Sequence, residues 1–295
     1  MTARPNAKRK PSRSVKRPPL DFLRRRVLEL VTTLEALRDE LTAQPKDAKA
    51  LHEYRKQTRR VAAGYQLLEL FLKPTEYASI QALTSVLSKG LGRWRDADVL
   101  DKRLQDLARG KSRTAREQFD ALRKKIASGG RHRRMARACK RSARARLREP
   151  LEELLGHACT QFVDPLVLLR DRLRLRAQSA LSEMATTQQL HAFRLDLKSY
   201  RYAIEALAPA PRSTEELTAR QAHQVTSILG RLVDAEVLEA KAAEAGPLAA
   251  RVILAAARKT GMEARQEFEK GWSEKRWPEL QAVVGENLGN LGTGS

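Results

Sequence analysis

The sequence contains little of what disulfide-stabilised, metal-binding or membrane-spanning proteins need. Its two cysteines, Cys139 and Cys159, lack Cys-x-x-Cys spacing and indicate neither a zinc site nor a disulfide framework. Proteins of reducing compartments rarely rely on disulfide bonds, and we therefore expect this protein to reside in the cytoplasm. No run approaches the ~18 apolar residues of a membrane span, and the basic N-terminus lacks the apolar core of a secretory signal. The sequence therefore predicts no metal and no membrane association.

Aromatic and acidic residues are scarce beside the basic ones. Aromatic residues make up 5% of the chain, and 35 Asp and Glu face 57 Lys and Arg, for a net charge of +22. Such an excess of one sign costs the folded state self-repulsion, which a polyanionic partner would offset. Nucleic acid, polyphosphate and an anionic membrane surface all carry the required charge. The few aromatic residues disfavour a protein that stacks nucleic acid bases.

Motifs for catalysis are missing as well. Neither glycine-rich phosphate-binding motif occurs. No Ser, Cys or carboxylate follows the two notable histidines, His52 and His191, by three or four residues, where it could be activated as a nucleophile. Asp96 and Asp98 resemble a metal-binding pair, but residues two apart on a helix do not face each other. We expect no catalytic residue, no metal ligand and no cofactor.

The chain divides into two helical halves between two tails. No β-strand pattern persists. The N-terminal tail holds seven Lys or Arg, four Pro and no acid, which predicts disorder. Residues 131–148 hold nine Lys or Arg and no acid, and we place the boundary between the halves directly after them. The predicted units are a disordered basic tail over 1–19, helical halves over 20–150 and 151–284, and a flexible tail over 285–295.

Residues 51–72 predict an amphipathic helix that carries a basic stripe. We expect Asp47 to cap this helix and Pro74 to stop it after Lys73. Its apolar stripe consists of Leu51, Tyr54, Thr58, Val61, Tyr65, Leu68 and Leu72. Its basic stripe, more than a quarter turn away, consists of His52, Arg55 and Arg59, with Arg60 beside them. Such a helix is suited to hold an anion; the alternative is an ordinary solvated basic face.

The same arrangement recurs 139 residues later. Segments 91–100 and 229–238, which lie 138 residues apart, also agree at seven of ten positions. Two matched segments at nearly one offset indicate an internal duplication and favour a function for the basic stripes. The second basic stripe consists of His191, Arg194, Lys198 and Arg201. The matched segments contribute Arg93 and Asp96 in the first half and Arg231 and Asp234 in the second.

These motifs resemble those of CHAD domains, a helical family named for its conserved histidines and associated with inorganic polyphosphate. His-x-x-Arg-x-x-x-Arg-Arg matches residues 52–60, and His-x-x-Arg-x-x-x-Lys-x-x-Arg-Tyr-x-x-Glu matches residues 191–205 without a gap. Leu-Gly-x-x-x-Asp-x-x-Val-Leu matches once in each half. Ala62 and Val233 stand where the family usually has Arg. Four motifs in order are fairly specific, and the resemblance covers roughly residues 20–280.

The resemblance implies an all-α fold of two four-helix-bundle-like halves, related by the duplication about a pseudo-two-fold axis around a basic groove. It implies inorganic polyphosphate as the ligand. The expected ligand contacts are His52, Arg55, Arg59, Arg60, His191, Arg194, Lys198, Arg201, Arg24, Arg93, Arg170, Arg174 and Arg231. The residues expected to hold these side chains in place are Asp96, Asp234, Tyr202 and Glu205.

We therefore expect a non-catalytic polyphosphate-binding protein that resides on cytoplasmic polyphosphate granules. The alternative is a nucleic-acid-binding protein that uses the same cations, with the basic tail and residues 131–148 as further contacts. A third interpretation is a polyphosphate-processing enzyme with a phosphorylated histidine. The sequence does not contain the acidic metal-binding cluster that such an enzyme would need. The sequence leaves the oligomeric state open.

Overall fold

The computed structural model describes residues 20–44, 47–127, 166–182, 185–207 and 213–285. These residues form nine α-helices and one 3₁₀-helix and no β-strand, which confirms the all-α prediction. None of the described helices is both long and apolar enough to cross a lipid bilayer. The predicted basic tail, the 131–148 stretch, the boundary near residue 150 and nearly all of the C-terminal tail lie outside the described residues. The α-helices are α1 (Leu20–Ala43), α2 (Ala48–Leu67), α3 (Pro74–Ala108), α4 (Arg113–Ala127), α5 (Val167–Ala180), α6 (Thr187–Leu207), α7 (Ser213–Ala242), α8 (Pro247–Ser273) and α9 (Pro278–Val284).

Side-chain caps begin both motif helices, α2 and α6. The carboxylate of Asp47 accepts hydrogen bonds from the backbone N–H groups of Lys49 and Ala50 at 2.7 and 3.1 Å, which confirms the predicted cap. Thr186 Oγ1 accepts from the N–H of Gln189 at 3.3 Å, and Gln189 Oε1 accepts from the N–H of Thr186 at 2.7 Å. The two capping residues lie 139 residues apart, the offset of the basic stripes. This spacing agrees with the duplication, which stays a prediction.

The end of the first motif helix differs from the prediction. Helix α2 ends at Leu67, a 3₁₀-helix spans Glu69–Phe71, and Lys73 is already the N-cap of α3. Pro74 therefore opens α3 instead of merely stopping α2, because proline lacks the N–H that the first helical position leaves unpaired. Glu76 accepts a hydrogen bond from the Lys73 backbone N–H at 3.2 Å and completes this start.

Two hydrophobic clusters hold the helices together. The larger is built mainly by α1, α2, α5, α6 and α7 and includes Tyr54, Phe193 and Phe268, each at most 2% exposed. The smaller joins the end of α3 and helix α4 to the end of α7 and the start of α8, and it includes Leu104 and Ile253. Both clusters combine helices from before and after residue 150. Burial of apolar surface therefore stabilises the two halves together, and the predicted domain boundaries stay a prediction.

A glutamine on α4 caps the N-terminus of α8. Gln118 Oε1 accepts hydrogen bonds from the backbone N–H groups of Leu248 and Ala249 at 3.0 and 3.1 Å. These are two of the donors that the first turn of a helix leaves unpaired. Gly246 leaves room for the cap, because a Cβ atom there would lie 2.4 Å from the Gln118 Cδ. The contact joins the two halves at the smaller hydrophobic cluster.

We expect Gln118→Ala to lower the free energy of unfolding by about 1 kcal/mol, the usual cost of a lost helix cap. Gly246→Ala should cost a similar amount, because the added methyl group displaces the glutamine. The double variant should cost little more than either single variant, since both remove the same interaction. Urea denaturation of all three variants measures this, and fully additive costs would contradict the shared cap.

Candidate anion-binding site

The two motif helices pack against each other, so the basic stripes of both halves lie on neighbouring helices. The predicted apolar stripes are buried: Tyr54 and Val61 on α2 and Phe193 and Leu197 on α6 are each at most 1% exposed. Their burial fixes the rotation of each helix about its own axis. The rotation in turn places the basic side chains. His52 is exposed, and Arg59, Arg60, His191 and Lys198 are half-buried.

The equivalent arginines Arg55 and Arg194 lie deeper than a solvated basic face would place them. Arg55 is only 7% exposed, and Arg194 is half-buried. Arg194 Nε donates a hydrogen bond to the backbone oxygen of Thr226 on α7 at 3.4 Å. The Arg194 guanidinium lies against Gly230, where a Cβ atom would be 3.6 Å from Nε and Nη2. Because Gly230 has no side chain, this guanidinium can lie close to the backbone of α7.

Glu205 connects the basic stripes of α2 and α6. Its Oε2 atom lies 3.4 Å from Nε of Arg60 on α2, and its Oε1 atom lies 3.5 Å from Nε of Arg201 on α6. The Glu205 side chain is 31% exposed, so water screens these pairs and each contributes modestly to stability. Their geometry is that of a carboxylate that orients two guanidinium groups. This geometry agrees with the positioning role expected for Glu205, which stays a prediction.

Arg201 has a further partner that the sequence did not predict. Its Nη1 atom lies 2.7 Å from Nδ1 of His223 on α7. Its Cζ atom lies 4.5 Å from the ring centroid of Tyr202, which is buried. His223 stands seven residues before Gly230, two helical turns on the same face of α7. That spacing was the one sequence signal that could have indicated it.

The imidazole of His191 sits among charges of both signs. Burial lowers the pKa of His191 below its ordinary value, because a partly desolvated site disfavours the imidazolium form. The positive charges of Arg194 and Lys198 lower this pKa further, and the carboxylate of Glu236 on α7 opposes them. The surroundings of His191 therefore disfavour its imidazolium form in the free protein. A polyanion placed beside it would reverse this balance.

The start of α1 adds arginines near the motif helices, with which α1 packs. Arg26 Nε donates a hydrogen bond to the backbone oxygen of Ala206, near the end of α6, at 3.0 Å. The predicted contact Arg24 is half-buried, and its Nη1 atom is buried without a hydrogen-bond partner among the described residues. A buried N–H group without an acceptor costs free energy, which an oxygen atom of an anion would recover.

Two predicted contacts on α5 lie beside α9 instead of the motif helices. Arg170 and Arg174 line an open groove with Pro278, Ala282 and other α9 residues. Arg174 Nε donates a hydrogen bond to the backbone oxygen of Val283 at 2.9 Å. Both arginines therefore line a surface that α5 shares with α9.

Of the residues predicted from the duplicated Leu-Gly segments, those with described side chains pair with helices other than α2 and α6. Arg231 pairs with Glu267 of α8. Asp234 lies 3.6 Å from Nη1 of Arg103 on α3, so it orients an arginine that the sequence did not predict as a ligand contact. The side chains of Arg93 and Asp96 lie outside what the structure describes. Within the described ranges, no group of three His, Cys, Asp or Glu side chains is arranged to hold a metal ion.

An all-helical fold with two basic helices packed side by side defines the class of this protein. The chain belongs to the CHAD domain family, whose model matches residues 15–243. The CHAD domain from the plant Ricinus communis is 20% identical, with a TM-score of 0.57 over 90% of each chain. PptA from Streptomyces chartreusis is 19% identical, with a TM-score of 0.60 over 85% of this chain and 96% of its own. At these identities the likeness shows the fold alone. No curated protein matches the chain.

Proposed function

We propose that the protein binds inorganic polyphosphate through the basic side chains of α2 and α6, without chemical turnover. The observation that carries this proposal is the contact between the two stripes, where Glu205 lies between Arg60 and Arg201. A single linear polyanion can therefore contact cations of both halves. The family resemblance, which rests on the histidine and arginine motifs of these same helices, implies the same ligand.

The placement of the aromatic residues supports polyphosphate over nucleic acid. Tyr54 and Tyr65 on α2 and Phe193, Tyr200 and Tyr202 on α6 are all buried. Of the aromatic side chains whose exposure the structure describes, none is exposed. Proteins that bind single-stranded nucleic acid present aromatic rings to the bases, whereas a chain of phosphates offers only charge and acceptor oxygens. The described site matches the second requirement.

The chemistry of recognition follows from the cations. Guanidinium groups such as those of Arg59 and Arg194 donate paired hydrogen bonds to phosphate oxygens, and the ammonium group of Lys198 acts as a compact charge. Binding releases counterions condensed on the polyanion, so affinity should fall steeply as salt rises. Partly buried cations contribute more than fully exposed ones because water screens them less.

A competition experiment tests the proposal. A labelled polyphosphate is bound at about 0.15 M salt, a concentration at which long-range attraction is largely screened. Duplex and single-stranded DNA are then added at matched charge concentration. We expect polyphosphate to remain bound. Displacement by DNA at equal charge would favour the nucleic-acid alternative instead.

We also propose that the protein does not hydrolyse its ligand and resides on cytoplasmic polyphosphate granules. The residues three and four positions after His52 and His191 are basic or apolar, so neither histidine has a nucleophile of this spacing to activate. Phosphate release from polyphosphate, measured with and without Mg²⁺, should not exceed the buffer control.

The proposed localisation has its own test. A fluorescent fusion should follow the granules and become diffuse in cells that lack polyphosphate.

Affinity for polyphosphate should fall as pH rises through neutrality. In the free protein the pKa of His191 lies below its ordinary value, and a bound polyanion raises it by favouring the imidazolium form. The complex then binds more protons than the free protein, so affinity rises as pH falls between the two pKa values, by at most about tenfold per pH unit. His191→Gln should flatten this profile. An unchanged profile in the variant would remove His191 from the site.

A further inference from the structure

The guanidinium of Arg201 is held from several sides. Its Nε atom faces Oε1 of Glu205 at 3.5 Å, its Nη1 atom contacts Nδ1 of His223 at 2.7 Å, and its carbon atom lies 4.5 Å from the Tyr202 ring centroid. Glu205 and Tyr202 belong to the same helix as Arg201, whereas His223 comes from α7. The Arg201 side chain is 14% exposed, far less than that of a free surface arginine.

The chemistry of the Arg201–His223 contact determines the state of the imidazole. A guanidinium has only donors, so Nδ1 of His223 must accept and the ring must carry its proton on Nε2. His223 therefore acts as a neutral acceptor that fixes the plane of the guanidinium. In the described part of the chain, the hydrogen bond of the Arg201 guanidinium uses Nη1, and its buried Nε atom has no hydrogen-bond partner. The held guanidinium retains an N–H edge with which it can donate to a phosphate oxygen.

We propose that His223 is a positioning residue for polyphosphate binding, which acts by holding the Arg201 guanidinium in its binding orientation. This inference rests on the proposed function and deepens it. Preorganisation matters because each long side chain that binding must immobilise costs about 0.5–1.5 kcal/mol, or roughly three- to tenfold in affinity. The arrangement exists in one half only, since the positions equivalent to Arg201 and His223 hold Ala62 and Ser85. The second half therefore supplies the better-organised part of the site.

Three substitutions of His223 test this role through the position of the acceptor. His223 is exposed, so these changes should leave the melting temperature nearly unchanged. His223→Ala should weaken polyphosphate binding by roughly three- to tenfold. His223→Asn should restore most of the affinity, because its Oδ1 atom takes the place of Nδ1. His223→Gln should restore less, because its acceptor lies farther along the side chain.

A double-mutant cycle separates positioning from direct contact. If His223 acts through Arg201, His223→Ala should cause no further loss in an Arg201→Ala background. An equal loss in both backgrounds would show that His223 contacts the ligand itself and overturn the inference. Tighter binding by His223→Ala would overturn it too, since it would show that the histidine competes with the ligand for Arg201. Unchanged binding by His223→Ala would have the same consequence. Failure of the wild-type protein to bind polyphosphate would overturn the proposed function and the inference together.

Discussion

Charge reversal of the equivalent pair Arg59 and Lys198 should lower polyphosphate affinity by about 10²-fold or more. The double variant Arg59→Glu/Lys198→Glu removes one cation from each basic stripe and places a carboxylate beside the phosphates. Each lost charge-assisted hydrogen bond is worth about 1.5–3 kcal/mol, and each 1.4 kcal/mol is tenfold in affinity. The slope of log affinity against log salt should become shallower by about one to two, because fewer counterions are released. These half-buried residues are better targets than Arg55, since a carboxylate at that buried position would endanger folding.

The matched control carries the same change in net charge on another surface. Arg251 and Arg258 are exposed on the part of α8 that flanks the smaller hydrophobic cluster. Arg251→Glu/Arg258→Glu should reduce affinity only slightly, through the overall field of the protein. Titrations of both variants at several salt concentrations give the comparison. Equal losses in the two variants would mean that net charge alone attracts the ligand and that α2 and α6 form no site.

The length of the polyphosphate supplies an independent measure of the same site. His191 and Arg201 lie ten residues apart on α6, which corresponds to about 15 Å along the helix axis. A chain long enough to reach both helices engages the second stripe at high effective concentration, which adds ~10²–10⁴ in affinity. The Arg59→Glu/Lys198→Glu variant should lose most of this dependence on length. A stoichiometry of two chains per protein with similar affinities would contradict a shared site.

Phe193→Ala should lower the free energy of unfolding by about 3–5 kcal/mol, the cost of deleting a buried aromatic ring. Phe193 is fully buried and lies between His191 and Arg194 on the chain. Its ring centroid is 6.4 Å from that of Phe268 and 6.0 Å from that of Trp272, so it packs α6 against α8. The loss should also loosen the helix that carries the second basic stripe. Urea denaturation followed by tryptophan fluorescence measures the change.

Leu195→Ala is the matched control on the same helix. Leu195 is 48% exposed, so its truncation should change the free energy of unfolding by no more than about 0.5 kcal/mol. The pair of variants compares removal of apolar groups from opposite faces of α6, two residues apart. Similar costs at the two positions would contradict the orientation of α6, and with it the placement of His191 and Arg194.

Much of this architecture could be predicted from the sequence because the interactions that specify it are local. The apolar spacing of Tyr54, Val61, Phe193 and Leu197 correctly identified the buried faces of α2 and α6, since helical periodicity relates neighbours along one chain segment. The cap of Asp47 was predicted for the same reason. The end of α2 was not, because a proline suits the start of a helix as well as a stop. The composition and motifs also led to the correct family.

Only the tertiary structure decided which of the predicted cations have partners and which partners they are. Arg60 and Glu205 are 145 residues apart in sequence, and Arg201 meets His223 from another helix. Arg174 and Arg231, by contrast, have partners on α9 and α8. Periodicity states which face of a helix is polar, but not which helix will pack beside that face. That choice depends on how the apolar faces of distant helices fit together, because burying them sets every rotation and crossing in the fold.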